Sequence, residues 1–258
     1  MQDAFCEHLP PVDLAGHVDR FWTLHDRQGQ HGQRVLPDGC VDILIGLGDD
    51  AQCSVVGTMT TALVVPPGPQ HVIAVRMRPG AAARVLGRPV DGLTDQRLPL
   101  AELWQGADQL HEAMACTSDP AIRLARFAAR LRRALADAPA IDRELEHAIA
   151  RLTADPQLRV ATLARELGRS RQHLARRFTA EVGVGPKVFA RVTRLTRVVR
   201  ALRRGTAPAW AALAQQHGYA DQAHLVHEFD ALVGLSPAAW LRSIPPIPRQ
   251  TGRLPSPP

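Results

Sequence analysis

Lysine is nearly missing from this chain: of 31 basic residues, 30 are arginine and one is Lys187. Ala and Pro are abundant as well, so the skew reads as a GC-rich coding bias and by itself points to no function. Long apolar runs are also missing. No stretch of eighteen apolar residues occurs, which speaks against a membrane-spanning helix and against a membrane partner. The opening MQDAFCEHLPPVD has neither the basic nor the apolar segment of a secretory signal. The four cysteines, Cys6, Cys40, Cys53 and Cys116, have no close partners in sequence, as expected of reduced thiols in a cytoplasmic protein. Catalytic signatures are absent too: there is no GxSxG, P-loop, GxGxxG or HExxH, and no HxH, CxxC or CxxH pair. Neither an enzyme nor a cofactor is expected. Cys40, Cys53 and His71 leave a metal-sensing alternative, and no metal site is otherwise expected.

What is present is unevenly distributed. The 258 residues, 45% of them apolar, suffice for two domains with separate cores. Residues 1–140 carry 13 basic and 16 acidic groups, a net of −3, and residues 141–258 carry 18 and 9, a net of +9. Coding bias explains arginine over lysine but not this segregation. Basic residues are densest between Pro156 and Arg204, with thirteen basic residues against Glu166 and Glu181. A cationic surface of that density suits a polyanion.

From Phe21 to Arg78 the chain reads as short strands rich in Val, Ile and Leu, separated by Gly, Pro and Asp clusters. Pro37-Asp38-Gly39 has the chemistry of a turn, and the runs on either side of it are expected to pair as a hairpin. AAARVLG after Pro79-Gly80 predicts a short helix. Farther on, Ile122, Ala125, Ala128, Leu131 and Leu135 fall at helical spacing. So do Ile141, Leu145, Ala148, Ile149 and Leu152, with Pro139 between the groups. Those stripes either pack within the chain or offer a homodimer interface. The Pro-rich end, from Pro245, is expected to lack structure.

The rear half contains a repeat. Leu163, Ala164 and Leu167-Gly168 recur as Leu213, Ala214 and His217-Gly218. Leu174, Phe178, Gly183, Pro186 and Phe189 then recur 51 residues on as Leu225, Phe229, Gly234, Pro237 and Trp240. Ser170 and Asp221, both favoured helix N-caps, occupy the same place in the two copies. A long amphipathic run, Pro186 to Arg204, joins the copies, with Val188, Phe189, Val192, Leu195, Val199 and Leu202 on one face. His217 is expected to be a partly buried structural residue.

LARELGRSRQHLARRFTAEVGVGP and LAQQHGYADQAHLVHEFDALVGLSP resemble the two helix-turn-helix units of the AraC/XylS family of bacterial transcription regulators, over roughly residues 150–242. The front half, with VLPDGCVDILIGL, VVGTM and VRMRPGAAARVLG, is similar to the sensor half of one branch of that family. The resemblance implies an α+β fold. A small β-rich, barrel-like regulatory domain would fill 1–120, a helical linker 121–152, the DNA-binding domain 153–243 and a Pro-rich disordered tail 244–258. It implies a sequence-specific DNA-binding regulator that inserts helices 170–182 and 221–233 into successive major grooves, is controlled by a small-molecule effector and works with RNA polymerase. The alternative is a ligand-binding or scaffolding protein with non-specific nucleic-acid binding.

Arginine pairs with guanine O6 and N7, and glutamine with adenine N6 and N7. With Leu174 and Phe178 facing inward, the opposite face carries Gln172, Ala175, Arg176 and Thr179, and the resemblance implies that Gln172, Ala175 and Arg176 are the base readers of the first helix. Gln222, Ala223 and His227 are those of the second. Arg165, Arg169, Arg171, Arg177, Arg191 and Arg194 are candidate phosphate contacts. The spacer, about 27 Å long at about 1.5 Å per residue, sets the helices about one DNA turn apart once side displacements are added. Phe21, Trp22, Met59 and Met77 are candidates for the lining of an effector pocket, against the alternative that they are simply core. Residues 205–240 contain no Lys or Arg, so the second unit is expected to hold DNA more weakly. Base-resolved footprinting on a bound operator should show deeper protection at the half-site read by the first unit, and equal protection and equal mutational cost at both half-sites would contradict this.

Overall fold

A computed structural model of the chain describes residues 4–26, 29, 32–48, 52–140, 142–204, 209–243 and 249–253. The front half supplies β1 (Ala4–Leu9), β2 (Val18–Asp26), β3 (Gln33–Val35), β4 (Val41–Gly46), β5 (Ser54–Val56), β6 (Leu63–Val65) and β7 (Gln70–Met77). Helix α1 (Ala81–Leu86), strand β8 (Arg97–Pro99) and helices α2 (Leu100–Leu103), α3 (Ala107–Ala115) and α4 (Pro120–Ala136) follow. The rear half holds α5 (Arg143–Ala154), α6 (Val160–Glu166), α7 (Arg171–Val182), α8 (Pro186–Leu202), α9 (Trp210–Gln216), α10 (Gln222–Val233) and α11 (Pro237–Ser243), before a last strand, β9 (Arg249–Arg253). The protein is α+β, β-rich in front and helical behind. Among the described residues no helix is long and apolar enough to cross a membrane.

Seven strands form one sheet in the order β8-β5-β4-β7-β2-β1-β9, and β3 pairs with β6 as a separate ribbon. All pairings are antiparallel apart from β1 with β9. Pro37-Asp38-Gly39 therefore does not close the expected hairpin. It carries the chain from the ribbon to the sheet, where β4 pairs with β5 and β7. Gly39 has φ 81°, and a Cβ there would lie 2.8 Å from the Phe189 ring, so the turn is shaped to lie against α8.

One sheet face carries Phe21, Ile43, Ile45, Val75 and Met77, all buried with Val85 of α1, Met114 of α3 and Leu124, Phe127 and Leu131 of α4. Phe21 meets Phe127 edge to face with centroids 5.8 Å apart. On α4 the buried stripe is thus Leu124, Phe127, Ala128 and Leu131, while Ile122 and Ala125 face solvent. The expected stripe is rotated by part of a turn, because burying Leu124 with Phe127 removes more apolar area from water than burying Ile122 with Ala125. Leu145, Ala148 and Leu152 of α5 lie in a different core, with the first helix-turn-helix unit. The two helices read as a linker thus each pack into one half, and their stripes are buried within the chain; Ile141 lies outside the described residues. Within the tail expected to be disordered, Arg249–Arg253 pair with the open edge of β1. This stretch has no proline, so its backbone can supply the ladder; residues 244–248 and 254–258 lie outside the described set.

Phe127→Ala should cost about 3–5 kcal/mol in urea unfolding, the usual loss for deleting a core phenylalanine. A loss below about 1 kcal/mol would show α4 to be a spacer outside the front core.

Candidate nucleic-acid interface

Each unit is a short helix, a tight turn and a capped second helix. The turns pass through Gly168 at φ 64° and Gly218 at φ 78°, where a side chain would be strained. Ser170 Oγ accepts from the His173 amide at 3.1 Å, and Asp221 Oδ1 accepts from the His224 amide at 2.7 Å. These caps fix where α7 and α10 begin. Both helices end at a left-handed glycine, Gly183 or Gly234. Leu174, Phe178 and Val182 bury one face of α7; Leu225, Glu228, Phe229, Leu232 and Val233 bury the matching face of α10.

The opposite faces are open. Gln172 and Arg176 are exposed on α7, with Ala175 half-buried between them. Gln222, Ala223 and His227 are exposed on α10, where with Val226, Asp230 and Ser236 they line an open depression. All six candidate readers therefore stand on the outward sides of the two capped helices. Between the units, α8 contributes Phe189 and Ala190 to one core and Leu195, Val198 and Leu202 to the other. His217, at the end of α9, is half-buried, and burial holds its pKa below the usual histidine value.

The cations divide by what they touch. Arg165 and Arg171 are exposed. Arg169 pairs with Glu144 at 2.8 Å and Arg177 with Asp142, both acids at the start of α5. The Arg169 guanidinium holds the Glu144 carboxyl below its usual range. Such solvent-facing pairs are screened by water and contribute little to stability. Arg191 and Arg194, expected at phosphates, are instead turned onto Glu228 at 3.2 and 2.9 Å. Glu228 is 8% exposed, and Arg194 also lies 5.0 Å over the Tyr219 ring. Burial, with Glu228 beside it, raises the Tyr219 hydroxyl pKa. Arg197 donates to the Thr153 and Ala154 carbonyls at 2.6 and 2.7 Å, tying α8 to the end of α5. Much of the basic spacer is thus held internally. Sequence reasoning missed Glu228 as its anchor, although a carboxylate in line with Leu225, Phe229 and Leu232 marks a buried position.

The four residues proposed for an effector pocket do not come together. Phe21 and Met77 belong to the sheet core. Trp22, next to Phe21 on β2, projects from the other face, where its indole N–H donates to Asp42 at 3.0 Å. Met59 is buried in the loop after β5. On that second face Arg76 pairs with Asp38 and Asp42 at 3.1 and 3.3 Å, and burial pushes the nearby Cys40 thiol well up. Among the described residues no three His, Cys, Asp or Glu side chains are placed to hold a metal, so Cys40, Cys53 and His71 form no such site.

Residues 163–243 match a family described as a helix-turn-helix domain, and residues 6–99 match a domain of unknown function (DUF6597). An AraC-like transcription regulator of Streptomyces antibioticus is 38% identical over 81 residues, which is 31% of this chain. Over its helix-turn-helix half the chain is similar to AraC-like transcription regulators. It spans about a quarter, 26%, of that curated relative's length. Among solved structures, ToxT from Vibrio cholerae strain SCE256 in its apo form is 13% identical with a TM-score of 0.46, over 86% of this chain and 97% of that one. The C-terminal domain of AraT, a response regulator from Geobacillus stearothermophilus, is 19% identical with a TM-score of 0.38, over 41% and 89%.

The Glu228 cluster joins the spacer to the second unit. Glu228→Ala leaves Arg194 partly buried without its carboxylate and should lower stability by about 3 kcal/mol, read as a fall in the urea midpoint at unchanged slope. A loss under about 0.5 kcal/mol would show the cluster to be screened by water.

Proposed function

We propose that the chain is a sequence-specific regulator of transcription that sets α7 and α10 into successive major grooves of one duplex. The observation that carries this reading is the pair of capped helices with outward polar faces, Gln172/Arg176 and Gln222/His227, built on one shared helix. A helix fits the major groove, and those side chains have the donors and acceptors to read base edges there. Arg165 and Arg171 serve as phosphate contacts, joined by Arg169 and Arg177 once DNA displaces their exposed acids. Arg191 and Arg194 drop out of that set.

The first unit supplies most of the salt-dependent affinity, because the outward face of α10 carries Asp230 and no arginine. The front domain is the regulatory half. Its polar sheet face, with Trp22, Asp42 and Arg76, is a better place for a small effector than the core residues Phe21 and Met77. RNA polymerase is the partner through which such a regulator acts.

Competition between a selected operator and random duplex tests the reading. Specific binding should exceed non-specific by about a thousandfold or more, and a ratio near one would reduce the protein to a non-specific nucleic-acid binder. Arg176→Ala should weaken operator binding by about 1–3 kcal/mol and relax preference at one base pair. An equal loss on every sequence would make Arg176 a phosphate contact instead.

A further inference from the structure

The front domain grips both helix-turn-helix units, and at the same place on each. At the end of α7, Thr58 Oγ1 donates to the Val182 carbonyl at 2.5 Å, Thr94 Oγ1 donates to the Gly183 carbonyl, and the Val90 amide donates to Ala180 at 2.8 Å. At the end of α10, Arg34 donates to the Val233 carbonyl at 2.7 Å and the Ala62 amide donates to Leu232 at 2.8 Å. Val182 and Val233 are repeat equivalents, as are Gly183 and Gly234. A Cβ on Gly183 would lie 2.9 Å from Thr58 Oγ1, and one on Gly234 would lie 3.2 Å from Arg34. The bare glycine caps are therefore the seats on which the front domain rests.

Thr58 and Ala62 belong to one short segment between β5 and β6. Four residues reach at most about 13–14 Å, so this segment ties the two helix ends closely. It is also stiff. Thr60 is held by Asp95 through its amide and hydroxyl, both at 2.6 Å. The Asp95 amide donates back to the Thr58 carbonyl at 3.1 Å. A Cβ at Gly57 would fall 1.7 Å from the Leu93 carbonyl oxygen, so the two loops are in backbone contact. Thr58 is fully buried.

We propose that residues 57–62 form a brace that fixes the relative placement of α7 and α10, with Thr58 and Arg34 as positioning residues for the operator half-site spacing the protein accepts. The shared helix α8 holds the units at one side, and the brace holds their recognition helices at the other. The proposal rests on the DNA-binding reading above.

The test uses the full chain and the variant Thr58→Val/Arg34→Met, which removes both side-chain donors at nearly constant volume. Binding is measured to a selected operator and to copies with one base pair added or removed between half-sites, each a shift of about 3.4 Å and about 35°. The wild type should lose about tenfold or more on either altered spacing, and the variant about threefold or less, with both proteins equal on the first half-site alone. A variant as selective for spacing as the wild type would overturn the brace. A second readout needs no DNA: in the free protein, Thr58→Val should speed hydrogen exchange at Ala62 and in the last turn of α10, the far end of the brace, by about tenfold. Unchanged exchange there would overturn the proposal even if the wild type proved indifferent to DNA sequence, a result that by itself counts only against the DNA-binding reading.

Discussion

Helix α8 is shared by two hydrophobic cores, and the geometry of the rear half depends on that sharing. Its first turns bury Phe189 and Ala190 with α7, and its later turns bury Leu195, Val198 and Leu202 with α10. A single 17-residue helix cannot satisfy both cores unless each unit sits at a set height and rotation along it. The Glu228 cluster adds an angular restraint, since Arg191 and Arg194 reach one carboxylate from neighbouring turns of α8. A buried carboxylate is costly unless paired, so α10 is held where both guanidinium groups meet it. The charge that makes α8 look like a polyanion surface is in part a fastening between the two units.

How much of this could be read from the sequence depended on whether the physics was local. Ser170 and Asp221 as caps, Gly168 and Gly218 as turns, and the core pairs Leu174/Leu225 and Phe178/Phe229 are local or repeated signals, and α7 and α10 begin and end where those signals place them. The arginines carry no such information. Arg171 and Arg194 are the same residue type in the same basic stretch, yet one is exposed and the other 15% exposed against Glu228. Their roles depend on a residue more than thirty positions away. Glu228 itself was partly legible, because it shares a stripe with Leu225, Phe229 and Leu232. On α4 the sequence PAIRLARFAARL offers two overlapping apolar stripes, and only the size of Phe127 separates them.

The front half was legible in kind but not in pairing. Short Val- and Ile-rich runs became strands, yet which strand β4 would join was not written near Pro37-Asp38-Gly39. The turn chemistry was right, but β7, more than thirty residues later, supplied the better partner. The grip of the front domain on the rear was less legible still. Val182, Gly183, Leu232 and Val233 take part through backbone carbonyls, and every residue has one. What could be seen was the repeated glycine at each helix end, whose conformational role was visible and whose second role, leaving room for Thr58 and Arg34, was not.

The two units share a skeleton and differ on their surfaces, and the differences follow one physical logic. Position 176 against 227 sets arginine against histidine, and position 177 against 228 sets an outward cation against an inward carboxylate. The first unit keeps its charges at the rim, in exposed pairs that cost little to break. The second turns a carboxylate inward, where it orients α10 and draws Arg191 and Arg194 of α8 onto itself. In the proposed DNA-binding role α10 has Gln222, Ala223, Val226 and His227 to offer a groove, which suit amide contacts to adenine and apolar contacts to thymine methyl groups. Contacts of that kind are short-ranged and tolerate little misplacement. A unit that relies on them needs to be held in position by the rest of the molecule, and it is the second unit that has both the Glu228 fastening and the Arg34 and Ala62 contacts to the front domain.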